Sequence, residues 1–268
     1  MKTDHTQSYL DAIDENKEGI VVIHEKIERK LPLHSHQKGQ LTYVQGGIAY
    51  IHAKNISYII PARHYVWVPK ALPHYLEVRH HGTVIRNIYY NAEGDENNPF
   101  FSELSIYPIN NLLFEMIIFT ERWNGLITAK DQGYQFLSTI KNLLPVLNTQ
   151  AFPIALPTTK NERLKPIILY MNLNFAHALN LEDLSHLFGM SERTFSRLFQ
   201  SAMSISFLQY LKLLRIVKAI EMILETEKST SEIAFATGYN SLAAFSKAFY
   251  QQTGSRPSDF RKSSFIYK

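Results

Sequence analysis

The chain has 268 residues, of which 45% are hydrophobic and 19% charged, with no cysteine and a formal net charge of +4. This length favours two domains with ordinary globular cores. The lack of cysteine excludes disulfides, thiolate nucleophiles and thiolate-bound zinc. No stretch approaches the roughly 20 apolar residues of a membrane helix, and the polar N-terminus does not resemble a secretory signal. We therefore expect a cytoplasmic protein with no membrane partner.

Seven short segments between residues 20 and 90 have the composition of β-strands. They are rich in β-branched and aromatic residues and are separated by Gly, Pro, Asn or Lys/His breaks: IVVIHEKI, GQLTYVQGG, AYIHAK, ISYII, YVWVP, YLEVRH and TVIRNIYY. Many short strands at regular spacing predict a sandwich or barrel. Residues 91–102 are predicted to be a loop. Apolar periodicity then predicts two helices, over Asn110–Arg122 and Tyr134–Leu147.

The remainder of the chain is predicted to be helical. Two prolines and weak periodicity place a linker at residues 149–163. We therefore expect a first domain over residues 1–148 and an all-α domain over residues 164–268. Positive charge is concentrated in the second part, because residues 160–268 contain 14 lysines and arginines against 9 acidic residues, whereas the preceding residues contain 14 against 15. This excess favours a polyanionic partner.

The helical part contains an internal repeat. Residues 181–207 and 230–257 each predict a helix, a turn with glycine and a second helix with aromatic residues four apart. The matching pairs are Leu184 and Ile233, Ser185 and Ala234, Gly189 and Gly238, Phe195 and Phe245, and Phe199 and Phe249. This is the helix-turn-helix pattern. The linking helix, at 206–226, is about 30 Å long, close to the roughly 34–36 Å turn of DNA.

This second part resembles the AraC/XylS family of bacterial transcription regulators. The residues that carry the resemblance are Ile233, Ala234, Gly238, Tyr239, Ser241, Phe245, Ser246, Phe249, Gly254, Pro257, Phe260 and Arg261, and the segment MSERTFSRLFQ resembles the family's first recognition helix. The resemblance implies that the second helix of each motif enters the major groove of double-stranded DNA. One departure is Ser204, where the family usually has glycine after the first recognition helix.

The resemblance places DNA-binding residues on both recognition helices. On the first they are Glu192, Arg193, Ser196 and Arg197, and on the second Ser241, Leu242, Ala243, Ser246 and Lys247. Arginine can bind guanine edges or phosphates. The second set is small and apolar apart from its lysine, so we expect it mainly to hold the DNA backbone. For the four repeated phenylalanines we expect a place in the core.

The strand-rich part resembles a cupin, a small jelly-roll barrel. HSHQKGQLTYVQGG is similar to the first cupin motif, through His34, His36, Gln40 and Gly47, and PKALPH to the second, through Pro69, Ala71 in the glycine place, and His74. The expected fold is therefore a two-domain α+β protein: an N-terminal cupin-like β-barrel with following helices, and a C-terminal all-α domain with two helix-turn-helix motifs.

The histidines of the barrel leave more than one interpretation open. Residues i and i+2 of a strand point the same way, so His34 and His36 can both project into the barrel, with His74 on a facing strand. Three imidazoles suit a divalent zinc, iron or nickel ion. Metal-binding cupins usually have glutamate where this chain has Gln40. Three interpretations therefore stay open: a metal site, a metal-free effector pocket, or hydrogen-bonded histidines at the barrel mouth. Three further histidines, His64, His80 and His81, are predicted to lie at the surface.

Two classes of function are compared. The first is a sequence-specific transcription regulator that binds promoter DNA, senses a small-molecule effector through the barrel, and forms a homodimer through the helices at 110–147. The alternative is a metal-dependent cupin enzyme with a vestigial helical tail. The glutamine at position 40, and the basic residues Arg193, Arg197 and Lys247, argue against the enzyme. A DNA-repair methyltransferase needs a nucleophilic cysteine, which the chain lacks.

Overall fold

The computed structural model describes residues 10–25, 32–78, 83–147 and 150–265. By its internal contacts the chain divides into a first unit, Met1–Lys54 with Ile60–Phe152, and a second unit, Asn55–Ile59 with Pro153–Lys268. Strands dominate the first unit and helices the second, so the predicted order of a strand-rich part and a helical part is confirmed. No helix among the described residues has the length and apolar character needed to cross a membrane.

The strands follow the seven predicted segments and add three short ones. Their bounds are β1 Ile20–Glu25, β2 Gly39–Gln45, β3 Ile48–Ala53, β4 Ile56–Pro61, β5 His64–Val68, β6 His74–Val78, β7 Val84–Tyr90, β8 Ser105–Pro108, β9 Gly125–Ile127 and β10 Ala155–Pro157. In the first unit, six strands form an antiparallel sheet in the order β8, β5, β2, β7, β1, β9. β3 pairs antiparallel with β6 in a second sheet.

Alternation along β2 separates an apolar face from a polar one. Leu41 and Tyr43 belong to the main core of the first unit, together with Trp67 of β5 and Ile88 of β7. The alternate residues Gln40 and Thr42 face the opposite way and hydrogen-bond to Asn87. Because successive strand residues point to opposite faces, one side of the sheet is left for polar groups.

Helices cover the apolar face of the six-stranded sheet. The helical residues of the first unit are 10–14 (α1), Pro99–Ser102 (α2), Asn111–Phe119 (α3) and Gly133–Leu147 (α4). Leu113 and Ile117 of α3 and Leu137, Ile140 and Leu144 of α4 are fully buried against the sheet's aromatic residues. Fully burying such a side chain contributes about 1.5–3 kcal/mol.

The segment predicted to be a loop, residues 91–102, contains helical structure instead. Asp95–Asn97 form a 3-10 turn and α2 follows directly. The Asn98 side chain accepts a hydrogen bond from the Phe100 N–H, and Pro99 occupies the first helical position. Both are helix-start signals, but α2 is only four residues long, too short for apolar periodicity to reveal it.

The second unit consists of seven helices among its described residues, and one short strand pair. The helices are α5 Lys165–Asn174, α6 Leu181–Leu187, α7 Glu192–Met203, α8 Phe207–Glu225, α9 Thr230–Ala236, α10 Leu242–Thr253 and α11 Pro257–Phe265. β10, inside the predicted linker, pairs antiparallel with β4 through Ala155 opposite Tyr58 and Pro157 opposite Ile56.

Side-chain caps fix where these helices begin. Asn180 accepts from the Asp183 N–H at the start of α6. Ser206 and Ser229 each form a reciprocal capping box, with Gln209 and Glu232. A capping side chain contributes about 1 kcal/mol and replaces a hydrogen bond that the first helical turn lacks.

Two pairs of helices, α6 with α7 and α9 with α10, share the same local geometry. Between α6 and α7 the chain turns at Gly189, with φ 65°, and between α9 and α10 it turns at Gly238, with φ 81°. Both values favour glycine. The long helix α8 joins the two helix pairs and buries nine of its side chains, whereas Leu208 is 59% exposed.

Ser204 has the backbone of a glycine, and this gives a stability prediction. It ends α7 with φ 59°, as Gly254 ends α10 with φ 72°. A left-handed conformation costs an L-residue about 1–2 kcal/mol, so we expect Ser204→Gly to raise the free energy of unfolding by about 1 kcal/mol. Urea denaturation measures this change.

The matched control is Gly254→Ala, because a Cβ at Gly254 has no atom within 4 Å. It therefore isolates backbone strain, and we expect it to lower stability by about 1 kcal/mol. If Ser204→Gly instead lowers stability, the Ser204 side chain contributes more than its backbone costs.

Candidate functional site

The exposed face of α7 contains the four residues predicted for the first DNA-binding surface. Arg193 and Arg197 lie one helical turn apart, and Glu192 and Ser196 flank them, all four being exposed. Within the described part of the chain, neither guanidinium has a hydrogen-bond or ion-pair partner. Both arginines are therefore free to bind an external anion or base edge.

Phe195 and Phe199 form the other face of α7 and are fully buried. Their rings lie 5.9 Å apart and both pack against Phe207 at the start of α8. Ser191 caps the helix by accepting from the Thr194 N–H. The core thus holds α7 in place while its polar face stays in solvent.

α10 repeats this arrangement with different chemistry. Ser241, Leu242, Ala243 and Lys247 are exposed and Ser246 is half-buried, whereas Phe245 and Phe249 are fully buried. The Ser241 hydroxyl already accepts a hydrogen bond from the Ala244 N–H, as the cap of α10. Of this set, Lys247 is the residue that carries a charge.

A cleft of about 580 Å³ beside α10 adds residues that the sequence did not indicate. Leu242, Ser246 and Lys247 line it, together with Thr230, Tyr250, Arg256, Pro257 and Ser258. Arg256 is exposed and directly precedes α11. Two cations and several hydroxyl groups in one cleft suit phosphate oxygens. The sequence shows Arg256 as a basic residue before Pro257, which could have indicated a DNA contact. Nothing in the sequence placed Arg256 near Lys247.

Three histidines meet in the first unit. His34 and His74 pair through two backbone hydrogen bonds, of 3.0 and 2.8 Å between nitrogen and oxygen, and their rings lie 4.6 Å apart. The His36 ring is 5.1 Å from that of His74. One ring nitrogen from each of the three lies within 4.8 Å of the others. His36 and His74 are buried and His34 is half-buried.

Backbone carbonyls fix the tautomer of all three rings. Nδ1 of His34, His36 and His74 lies 2.8, 2.7 and 2.8 Å from the carbonyl oxygens of Pro32, Lys38 and Leu72. A carbonyl only accepts, so each Nδ1 carries the hydrogen and each neutral ring presents a bare Nε2. In metal sites, a carbonyl that accepts from the other ring nitrogen orients the histidine towards the ion.

Gln40 completes the cluster. Its Oε1 lies 2.9 Å from His36 Nε2 and 3.1 Å from His74 Nε2, while its Nε2 donates to Thr42 and Asn87. The amide oxygen and the two bare ring nitrogens are all acceptors, so a bound cation can satisfy them together. Without a metal ion, the Gln40 side-chain amide can be reversed, so that its NH2 group donates to the bare ring nitrogens.

Burial keeps these imidazoles neutral. Loss of solvation lowers the pKa of His34 and of His36, and lowers the pKa of His74 to about 3. A neutral imidazole is the form that ligates a metal ion. The donor set of His34, His36, His74 and Gln40 therefore fits a divalent cation such as zinc or nickel.

Lys38 supports the loop that carries His36. Its buried ammonium donates to the carbonyls of Asn16, Lys17 and Gly19, at 2.7, 3.2 and 2.6 Å. Burial lowers the pKa of this lysine. The sequence did not indicate this role, because a lysine is usually exposed.

The prediction that His64 lies at the surface is wrong. Its exposure is 8%, its Nδ1 bonds to the Ala62 carbonyl, and its ring packs 4.7 Å from Phe152. Burial lowers its pKa to about 4. Its neighbours come from a turn and from a residue far along the chain, so no local pattern revealed them. His80 and His81 lie outside the described residues.

Comparison with known proteins identifies the second unit. Residues 184–263 match the family model described as a helix-turn-helix domain. This match agrees with the resemblance of this part of the chain to the AraC/XylS regulators. The matched residues include both glycine turns, α7 and α10.

The similar curated proteins are named as transcription regulators. The uncharacterized HTH-type transcriptional regulator YdiP of Escherichia coli (strain K12) is 32% identical over 103 residues, 38% of this chain and 34% of that protein. The HTH-type transcriptional regulator NimR of the same strain is 22% identical over 226 residues, 84% of this chain and 80% of that protein. The chain thus spans about a third of YdiP.

Among solved structures, the C-terminal domain of AraT, a response regulator from Geobacillus stearothermophilus, is 29% identical. The match covers 40% of this chain and 90% of that domain, with a TM-score of 0.39.

Proposed function

We propose that this chain is a sequence-specific DNA-binding transcription regulator with two helix-turn-helix motifs. The observation that carries the proposal is the helix-turn-helix match over residues 184–263, in which α7 turns unpartnered Arg193 and Arg197 towards solvent. Its DNA partner is double-stranded promoter DNA. Glu192, Arg193, Ser196 and Arg197 form the first contact surface, and Ser241, Leu242, Ala243, Ser246 and Lys247 the second.

The two motifs contact adjacent major grooves in this proposal. α8 has 19 residues and is therefore about 28 Å long. Adjacent grooves on one face of DNA are about 34–36 Å apart. A rigid helix of this length can separate two recognition helices by that distance.

Arg256 gives a test of the phosphate contacts. It shares the cleft beside α10 with Lys247, so we expect Arg256→Ala to weaken binding to all DNA sequences by a similar factor. The slope of log affinity against log salt should fall by about one, because one phosphate contact is lost. Fluorescence anisotropy at salt concentrations from about 50 to about 300 mM measures the slope, because phosphate contacts are salt-sensitive in this range.

The control removes the same charge elsewhere, through Lys130→Ala in the first unit, where Lys130 is exposed. If both variants change the slope equally, Arg256 acts through net charge and not through a phosphate contact.

For the first unit we propose a cupin-like jelly-roll barrel that senses an effector. The support is the antiparallel six-stranded sheet and the polar cluster of Gln40, Thr42 and Asn87 beside the histidines. The proposed boundaries are 1–148 for this sensor domain, 149–163 for a linker and 164–268 for the DNA-binding domain. An effector that binds one arrangement of the domains better than another shifts the protein towards DNA-bound or free forms.

The effector site is formed by His34, His36, Gln40 and His74. A divalent metal held by the three Nε2 atoms and the Gln40 oxygen is the occupant that the fixed tautomers favour. When bound, the ion would accept the lone pairs that converge from these ring nitrogens and the amide oxygen. A polar small molecule that donates hydrogen bonds to the same atoms is the metal-free alternative.

We further propose a cytoplasmic homodimer. α3 and α4 of the first unit each expose an apolar side chain, Leu112 at 56% and Val146 at 73%. Burial of such residues between two copies stabilises a dimer.

Electrophoretic mobility shifts of the full chain on the DNA upstream of its own gene test the function. The proposal expects a salt-sensitive shift that competitor DNA of unrelated sequence does not abolish, and that changes when Zn²⁺ or Ni²⁺ is added. A chain that binds no duplex selectively, with or without these ions, contradicts the proposal.

A further inference from the structure

Arg215 lies in the middle of α8 and contacts the connection that precedes the first helix–turn–helix segment and the turn of the second. Its Nε donates to the Phe175 carbonyl and its Nη2 to the His177 carbonyl, both at 2.8 Å. These carbonyls belong to the connection that leads from α5 into α6. The same guanidinium lies 5.9 Å from the ring of Tyr239, which belongs to the turn between α9 and α10.

The chemistry of this contact requires arginine. α5 ends at Asn174, Phe175 is its C-cap, and the His177 carbonyl also accepts from the Leu179 N–H, so Arg215 holds the chain just beyond the end of α5. A planar guanidinium can donate to two carbonyls in fixed directions while its face contacts an aromatic ring. Lysine carries the same charge but has no such geometry.

Gly238 brings the second turn into contact with the first connection. A Cβ at this position would lie 2.6 Å from the Ala176 carbonyl oxygen and 2.9 Å from Nη2 of Arg215. A Cβ at Gly189, the equivalent turn residue of the first segment, has no atom within 4 Å. Both glycines have positive φ, so their difference lies in packing: Gly238 is needed for the close approach, whereas Gly189 is needed for its backbone conformation.

We propose that Arg215 and Gly238 are positioning residues, which fix the placement of α10 relative to α7 and so set the half-site spacing that the domain accepts on DNA. The proposal rests on the proposed function for its DNA consequence. Its structural part, a fixed arrangement of the two recognition helices, stands without DNA.

The chain has no cysteine, so cysteines introduced at two chosen positions can be spin-labelled specifically. The distance between the labels tests the structural part of the proposal. Spin labels on Ser201→Cys in α7 and Gln251→Cys in α10, both exposed positions, report one distance by double electron–electron resonance. We expect a narrow distribution in the otherwise unchanged full chain and a clearly broader one with Arg215→Met. Lys218→Met, on the same helix but paired with Glu221, is the control and should leave the distribution narrow.

The DNA consequence is measured on a duplex selected from a random library by the full chain. Inserting two base pairs between its half-sites rotates them by about 70° and should weaken the unchanged chain strongly. With Arg215→Met we expect roughly tenfold weaker binding at the selected spacing, because DNA must then order two recognition helices that the free chain no longer holds in one arrangement. We also expect a smaller penalty for the insertion and unchanged affinity for a single half-site.

Gly238→Ala and Gly189→Ala form a second, matched pair. Both introduce strain at positive φ, but Gly238→Ala alone should broaden the label distance and flatten the spacing preference. Equal behaviour of the two variants, or a narrow distance with Arg215→Met, overturns the inference. If the unchanged chain selects no duplex, the proposed function fails, while the distance measurement still decides whether Arg215 and Gly238 fix the two helices.

Discussion

Replacing Arg193 and Arg197 together with alanine should lower the affinity of the full chain for its selected duplex by at least about 30-fold, since each arginine–base contact is worth about 1–3 kcal/mol. Both side chains are exposed on α7, and exposed substitutions usually change stability by less than about 0.5 kcal/mol. The melting temperature should therefore stay unchanged while DNA affinity, measured by fluorescence anisotropy, falls.

The control for this double change removes the same two charges from the same unit. Lys160 and Arg163 are exposed and precede α5, so Lys160→Ala with Arg163→Ala should weaken binding only slightly and equally for selected and random DNA. If the two double variants lose affinity to the same extent, net charge and not the α7 surface explains binding.

The second large effect concerns the histidine cluster. We expect the full chain, prepared without a tag, to bind one divalent ion, and His74→Ala to weaken this binding by more than about 100-fold, because even outer-shell partners of a metal are worth 10–100-fold. Gln40→Glu should strengthen binding, since a carboxylate adds the negative charge that a divalent cation prefers. Isothermal titration calorimetry with Zn²⁺ and Ni²⁺ measures both changes.

His186→Ala is the matched control, because His186 is an exposed histidine of α6, in the second unit. It should leave the metal affinity unchanged. Equal affinities in His74→Ala and the unchanged chain would show that the three histidines do not hold the ion. The cluster would then be the metal-free pocket, with the Gln40 amide reversed.

The helical unit could be predicted closely from the sequence because local signals determine it. Caps such as Asn180, Ser206 and Ser229 mark the first turns, and apolar spacing marks the buried faces. The predicted and observed bounds of α8, 206–226 and Phe207–Glu225, differ by one residue at each end. Ser204 was recognised as a departure from glycine, and its φ of 59° gives the physical meaning of that departure.

The first unit could be predicted less completely because distant residues determine its details. β8, β9 and β10 have three or four residues each, too few for a period-2 pattern, and they exist through pairing with partners far along the chain. The burial of His64 depends on Phe152, and that of Lys38 on three carbonyls of residues 16–19. The cation pair of Lys247 and Arg256 likewise depends on how α10 and α11 pack.

The most direct test of the account is hydroxyl-radical footprinting of the full chain on a duplex selected from a random library. Two helix-turn-helix motifs in adjacent major grooves predict two protected segments on one face of the DNA, with centres about 10–10.5 base pairs apart. The Arg193→Ala, Arg197→Ala variant should lose the protection of one segment first. A single protected segment, or a library that shows no enrichment of sequence, would contradict the central claim that this chain binds DNA through both motifs.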